Sequence, residues 1–127
     1  MSVLGIGLDL VDIERFARVL DRRPGIADRL FTSGETDVTH GSPARIAQRL
    51  AARFAAKEAA MKSLGAGFGA MGFTDVEVVS LETGAPRIEM RRRAQEVAVS
   101  RGVTSWLVTL THTATTAAAC VVALGDR

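Results

Sequence analysis

The stretch from Ala44 to Leu64 constrains the fold more than any other, because its composition and spacing both call for one long helix. Four of the ten residues from Arg53 to Lys62 are Ala, the best helix former. Wound at 3.6 residues per turn, Ile46, Leu50, Phe54, Met61 and Leu64 fall on one side, which predicts the core-facing stripe. Lys57 and Glu58 lie on opposite margins of that stripe, and Arg53 and Lys62 face outward. Gly65 and Gly67 end the helix in a glycine loop whose backbone is free to approach a ligand. One carboxylate among three cations beside such a loop suits a metal ion and phosphates. The competing reading is a solvated face on which the i,i+4 pairs are attractive (Glu58/Lys62) and repulsive (Arg53/Lys57).

Before this helix, Val3 to Val11 is a short apolar run broken by Gly5 and Gly7 and reads as a strand. Its one charge, Asp9, is costly there unless it is paired, binds a metal or caps the next helix. Asp12 is the better N-cap, and it opens a helix with Ile13, Phe16, Ala17 and Leu20 inward. Arg15, Arg18, Arg22 and Arg23 form an outer basic patch, either solvated or matched to an acidic partner. Thr32 to Glu35 has capping-box spacing.

After the glycine loop the period changes. Residues 75–81 and 87–90 are expected to form a hairpin around the turn at 83–86. A helix over about 91–101 comes next, then a strand from Ser105 to His112 and a continuous apolar strand from Ala117 to Leu124, expected to be buried on both faces. Helices early and strands late indicate an α+β chain, read as one domain over 1–127.

Composition narrows the function classes. The net charge is only +2 and the aromatics are five Phe and one Trp, so neither the field nor the stacking platforms of a nucleic-acid binder are present. The single Cys, Cys120, reads as a small buried hydrophobe and suits a reducing compartment. The N-terminus lacks a signal peptide's basic region, and no stretch approaches a membrane span. A cytoplasmic location with no membrane or nucleic-acid partner is expected. The 47% hydrophobic content is high for a small monomer, and a subunit interface is one outlet for it.

Three segments together carry a family resemblance: Gly5 to Phe16, Arg53 to Gly65, and Trp106 to His112. In order and spacing they resemble the signatures of bacterial holo-acyl-carrier-protein synthases, the small 4′-phosphopantetheinyl transferases; Phe31 to Glu35 and Gly67 through Val78 look like that family too. The resemblance implies a transferase-like α+β fold: an N-terminal strand and helices, then an antiparallel sheet with one further helix. It implies Mg²⁺-dependent transfer of phosphopantetheine from coenzyme A to a serine of an acyl carrier protein or carrier domain, releasing 3′,5′-ADP and serving fatty acid biosynthesis. By this resemblance Asp9 and Glu58 are the metal carboxylates, Lys62 completes the catalytic set, and Glu58 is the candidate proton acceptor. Arg53, Lys57, Lys62, Gly65, Gly67, Thr111 and His112 are expected around coenzyme A, with Arg45 and Arg49 in support. Arg15, Arg18 and Arg22 are expected to meet the acidic carrier protein, with Phe16 or Val19 as an apolar anchor. The family further implies a homotrimer with active sites at subunit boundaries. Thr109, Thr111 and Thr113 depart from the usual residues of the third signature. The alternative is a non-catalytic trimeric module that binds a nucleotide or an acidic protein.

Overall fold

The computed structural model describes residues 1–37, 40–67 and 69–126; Phe68 of the glycine loop lies outside them. The chain runs β1 (Ser2–Asp12), α1 (Ile13–Arg22), α2 (Ile26–Leu30), α3 (Ser33–Asp37) and α4 (Pro43–Ser63). A 3-10 turn (Phe73–Asp75) leads into β2 (Val76–Ser80), β3 (Pro86–Met90), α5 (Arg92–Ser100), β4 (Val103–His112) and β5 (Thr116–Gly125). The strands form an antiparallel three-stranded sheet, β1-β5-β4, and an antiparallel hairpin, β2-β3. This is the expected α+β class, with one rearrangement. The first strand does not stand apart from the C-terminal sheet but forms one edge of it, paired along its length with β5.

Local signals act where expected. The Asp12 side chain accepts a hydrogen bond from the Arg15 N–H at 2.9 Å and starts α1. Thr32 and Glu35 form a reciprocal capping box at α3: the Thr32 N–H donates to Glu35 Oε1 (2.9 Å) and the Glu35 N–H to Thr32 Oγ1 (3.3 Å). Ser42 caps α4, and Pro43 occupies the first turn, where its missing N–H costs nothing.

α4 is the axis of the molecule, touched by β1, β4, β5, β2 and α1. Its core is built of small residues: Ala51, Ala55, Ala56, Ala59 and Ala60 are completely buried. Of the expected stripe, Leu50, Met61 and Leu64 are buried, while Ile46 and Phe54 are half-buried beside the α1 cluster. The small residues let β1 lie directly on the helix. A Cβ on Gly7 would stand 1.8 Å from the Ala59 carbonyl oxygen, and one on Gly5 1.8 Å from that of Ser63. No side chain fits there, so these glycines are dictated by backbone contact.

Lys57 corrects the sequence reading. It is not on the margin of an apolar stripe but fully enclosed. Its ammonium donates three hydrogen bonds, to Glu35 Oε1 (2.5 Å), Phe73 O (3.0 Å) and Val76 O (2.8 Å). The Phe31 ring lies 5.4 Å away. Burial pulls this ammonium below the ordinary lysine range, against an upward pull from Glu35. The Glu35 carboxylate also accepts the N–H groups of Thr32 and Val78, so one buried pair binds α3, α4 and β2 together.

The three-stranded sheet has two unlike faces. Gly7, Ala117, Ala119, Val121 and Ala123 are buried on the α4 side. The opposite face carries Ile6, Leu8, Leu10 and Leu107, exposed by 67, 61, 67 and 60%. The expectation that the Ala117–Leu124 strand is buried on both faces therefore fails within one chain: Ala118, Cys120, Val122 and Leu124 are half-exposed.

The buried pair makes a stability prediction. Lys57→Met leaves Glu35 charged and uncompensated, and should cost about 3–5 kcal/mol in urea unfolding. Adding Glu35→Gln removes that stranded charge, so the double variant should be more stable than Lys57→Met alone. An additive double variant would deny the coupling.

Candidate active site

Two residues beyond Gly7, the strand delivers the Asp9 side chain to the same α4-facing side. Its carboxylate is only 12% exposed, and the Lys62 ammonium donates to Asp9 Oδ1 and to the Leu8 carbonyl, both at 3.0 Å. Lys62 lies one turn after Glu58 on α4, so the i,i+4 spacing puts both on one face opposite Asp9. Burial is the main cause that raises the Glu58 carboxyl above its ordinary value. The charge and hydrogen bonding of Asp9 add to this, and Lys62 only partly offsets it.

This cluster lies between two concavities. One, of about 230 Å³, is lined by Glu58, Met61, Lys62, Ala66 and Gly67. The other is a groove of about 550 Å³ between β1, α1 and α4; Asp9 and Glu58 form one end, and Arg15, Val19, Ile26 and Leu30 its walls. Glu58 lines both. A group held at Asp9 and Glu58 therefore faces a ligand in the pocket and another in the groove.

The donors suit a hard divalent cation. Two half-buried carboxylates carry more negative charge than Lys62 neutralises, and Mg²⁺ is commonly held by one or two carboxylates with phosphate and water oxygens completing the shell. Among the described residues no group of three or more acidic, His or Cys side chains forms a closed cage. A cation at Asp9 and Glu58 thus depends on further oxygen ligands.

The other expected site residues divide. Gly67 lines the pocket, and Gly65, at φ +67°, sits just before it with the Arg101 guanidinium against its Cα. Arg15 and Val19 face the groove, whereas Phe16 is buried, with ring centroids 6.2 Å from Phe31 and 5.3 Å from Phe54. Phe16 is thus the floor of the groove and not a projecting anchor. Arg18 pairs with Glu14 at 3.0 Å, and Arg22 is exposed in the last turn of α1.

Arg45, Arg49 and Arg53 run along a different side of α4. The Arg53 Nη2 donates to Ser80 Oγ at 3.1 Å, its Nε is buried without a partner, and burial leads the causes that lower its pKa. Lys57, expected at coenzyme A, points into the core and offers no surface to a ligand. Thr111 lies on the open sheet face, and His112 is exposed at the end of β4 with Nδ1 3.2 Å from Thr113 O. β5 separates β4 from β1, so His112 stands two strand spacings, roughly 10 Å, from the Asp9 strand. Sequence reasoning missed Ile26, Leu30 and Phe54 as groove walls, because apolar residues at helical spacing look the same facing a core or a cleft.

A profile of the 4′-phosphopantetheinyl transferase superfamily matches residues 5–121. A holo-[acyl-carrier-protein] synthase of Streptomyces avermitilis is 46% identical over 125 residues, spanning 98% of this chain and all of the relative. The acyl carrier protein synthase of Mycobacterium tuberculosis superposes with a TM-score of 0.78 at 34% identity, covering 98% of this chain and 100% of that one. The Helicobacter pylori synthase solved in complex with coenzyme A gives 0.80 at 27% identity, over 94% and 99%. The chain belongs to the 4′-phosphopantetheinyl transferase superfamily. Its full-length relatives are the holo-[acyl-carrier-protein] synthases.

A raised carboxyl in the folded state means that the fold holds this proton more tightly than the unfolded chain does. Stability from Glu58 is therefore lost as pH rises through its folded value, and the penalty is complete only above that value. In EDTA at about pH 7.5, Glu58→Gln should melt a few degrees above the wild type. The gain should shrink at acid pH, where Glu58 is protonated, as read by circular dichroism melts.

Proposed function

We propose that this protein transfers the 4′-phosphopantetheine group of coenzyme A to a serine hydroxyl of an apo acyl carrier protein or carrier domain. The transfer depends on Mg²⁺, releases 3′,5′-ADP and serves fatty acid biosynthesis. The observation that carries the reading is the cluster of Asp9, Glu58 and Lys62, set between a pocket and a groove in a chain of this superfamily. The Helicobacter pylori relative is described in complex with coenzyme A.

In this reaction the serine Oγ–phosphorus bond forms as the phosphorus–oxygen bond of the diphosphate breaks, and 3′,5′-ADP leaves with the electron pair. Asp9 and Glu58 would hold the Mg²⁺, which when bound supplies positive charge to the phosphate oxygens. Lys62 lies at the pocket rim with half of its side chain exposed and brings a second positive charge to the same oxygens. Glu58 faces the groove as well as the pocket and accepts the serine proton, directly or through a water. Positioning and charge stabilisation supply most of the acceleration.

The acceptor approaches from the groove side. Arg15, Arg18 and Arg22 on α1 meet its acidic surface, and Val19, 36% exposed, offers the apolar contact that Phe16 does not. Coenzyme A occupies the pocket beside Lys62 and Gly67. Arg45, Arg49, Arg53, Thr111 and His112 reach it from a neighbouring subunit of a homotrimer, because within one chain they stand apart from the Asp9 cluster. The exposed Ile6, Leu8, Leu10 and Leu107 face is the surface that supports such assembly, since monomers seldom leave a contiguous apolar sheet face in water. No helix among the described residues is long and apolar enough to cross a membrane.

Mass spectrometry of an apo carrier protein incubated with this protein, coenzyme A and Mg²⁺ should record the addition of one phosphopantetheine on serine. EDTA should abolish the gain. Asp9→Asn should lower the rate by about 100-fold or more, the scale of losing an electrostatic group at the reacting centre, with the fold retained. Coenzyme A binding without transfer to any carrier would overturn the reading. Leu8→Arg should convert the assembly to 13.5 kDa monomers in light scattering and abolish turnover; an active monomeric variant would refute the shared site.

A further inference from the structure

The start of α5 is an unusual construction for a helix. Arg91, its N-cap, makes no side-chain capping bond. Arg92, the first helical residue, has φ +47°, the only positive φ at a non-glycine among the described residues. Such a conformation is strained in an arginine and persists only where its surroundings hold it. The hold is visible. Arg92 Nε donates to Asp75 Oδ1 at 2.8 Å, and Asp75 Oδ2 accepts the Gly72 N–H at 3.1 Å. The Arg91 N–H donates to the Asp75 carbonyl at 2.7 Å.

The next residue reaches the same turn. Arg93 Nε donates to the Ala70 carbonyl at 3.3 Å, and the Ala70 N–H donates to the Gly67 carbonyl at 3.3 Å. Gly67 and its neighbour Ala66 line the pocket that also holds Glu58 and Lys62. A continuous chain of hydrogen bonds thus runs from Arg93 through Ala70 to the pocket wall, and a second fixes Gly72 through Asp75 and Arg92. Neither arginine lines the pocket.

We propose that Arg92 and Arg93 are positioning residues for the coenzyme: they fix the glycine turn so that Ala66 and Gly67 keep the shape of the pocket beside Lys62. This rests on the transferase reading above and adds to it the residues that set coenzyme affinity from outside the pocket. The strain at Arg92 is retained because only a side chain in this conformation meets Asp75. A glycine would take the backbone more easily but would release the turn. The glycines need such bracing, since they carry no side chain that could pack to hold them.

The test separates affinity from chemistry and from folding. Arg92→Gly accepts the positive φ, so the helix start survives while the Asp75 contact is lost; Arg93→Gln removes an exposed guanidinium. Each should raise the KM for coenzyme A by about tenfold, within the ~100-fold that a 1 Å misplacement can cost. The kcat should change less than about twofold, because Asp9, Glu58 and Lys62 are untouched. Arg93→Lys, which keeps a donor for Ala70, should restore part of the affinity. Calorimetric titration of 3′,5′-ADP should report the same loss. Unchanged KM and unchanged nucleotide affinity in both variants would overturn the inference while leaving the wild-type transferase intact. A kcat that falls in step with melting temperature would overturn it too, by making the arginines merely structural. A wild type that neither binds coenzyme A nor transfers it would remove the functional reading, and this inference with it.

Discussion

Everything in this fold depends on how closely the backbone of β1 lies against the backbone of α4. A strand and a helix normally keep side chains between them. Here a Cβ at Gly7 would meet the Ala59 carbonyl at 1.8 Å, so the two main chains touch. The contact needs glycine on the strand and small residues on the helix, and α4 supplies Ala59 and Ser63 where Gly7 and Gly5 cross it. Its consequence is chemical. With the strand held this close, the next inward-facing side chain, Asp9, has no depth to sink into. It emerges beside Glu58 and Lys62 at the edge of the helix. A longer residue at Gly7 would lift the strand and separate the carboxylates that the proposed reaction brings together.

Proximity alone does not decide which residues of α4 face Asp9; rotation of the helix does. Successive residues turn by about 100°, so Lys57 and Glu58 point in different directions, one into the core and the other to the site. The Lys57 ammonium has all three protons committed, to a carboxylate and two carbonyls. Any rotation of α4 would break charge-assisted bonds in a buried place, where each is costly to lose. The pair is weak evidence for net stability but strong for registry. It locks the angle at which Glu58 and Lys62 are presented, and it does so from within the core.

The parts of this arrangement that could be read from the sequence are those governed by near neighbours. Asp12 and the Thr32/Glu35 box act within three residues, and the hairpin turns where Thr83 to Pro86 say it should. Asp9 stood out because a charge in an apolar strand demands a reason. Lys57 did not, since its partners lie 16 to 22 residues away and a lysine beside an apolar stripe ordinarily reaches water. Gly5 and Gly7 looked like interruptions of a strand, whereas they are its contact surface. The β5 strand shows a limit of another kind. Its unbroken apolar run leads to the expectation of two covered faces, but the chain covers only one of them. The residue pattern cannot distinguish a face covered by the chain's own helix from one left to another molecule.

The charge balance of the cluster explains why the site is unsuited to an anionic substrate without help. Asp9 and Glu58 carry two negative charges if both are ionised, and Lys62 carries one positive charge that is already bonded to Asp9. A diphosphate entering the pocket would meet Glu58 beside an ammonium already bonded to Asp9, and would have to draw Lys62 away from that carboxylate to gain it. Burial is the main cause that raises the Glu58 carboxyl, and the neighbouring Asp9 charge adds to it. A divalent cation held by Asp9 and Glu58 would reverse the local sign and free Lys62 for phosphate. Cation and coenzyme would then be thermodynamically coupled: each would strengthen the other's binding by the same factor, as linkage requires. The dependence on Mg²⁺ that the proposed function includes would follow from this arrangement, in which the ammonium of the cluster is already paired.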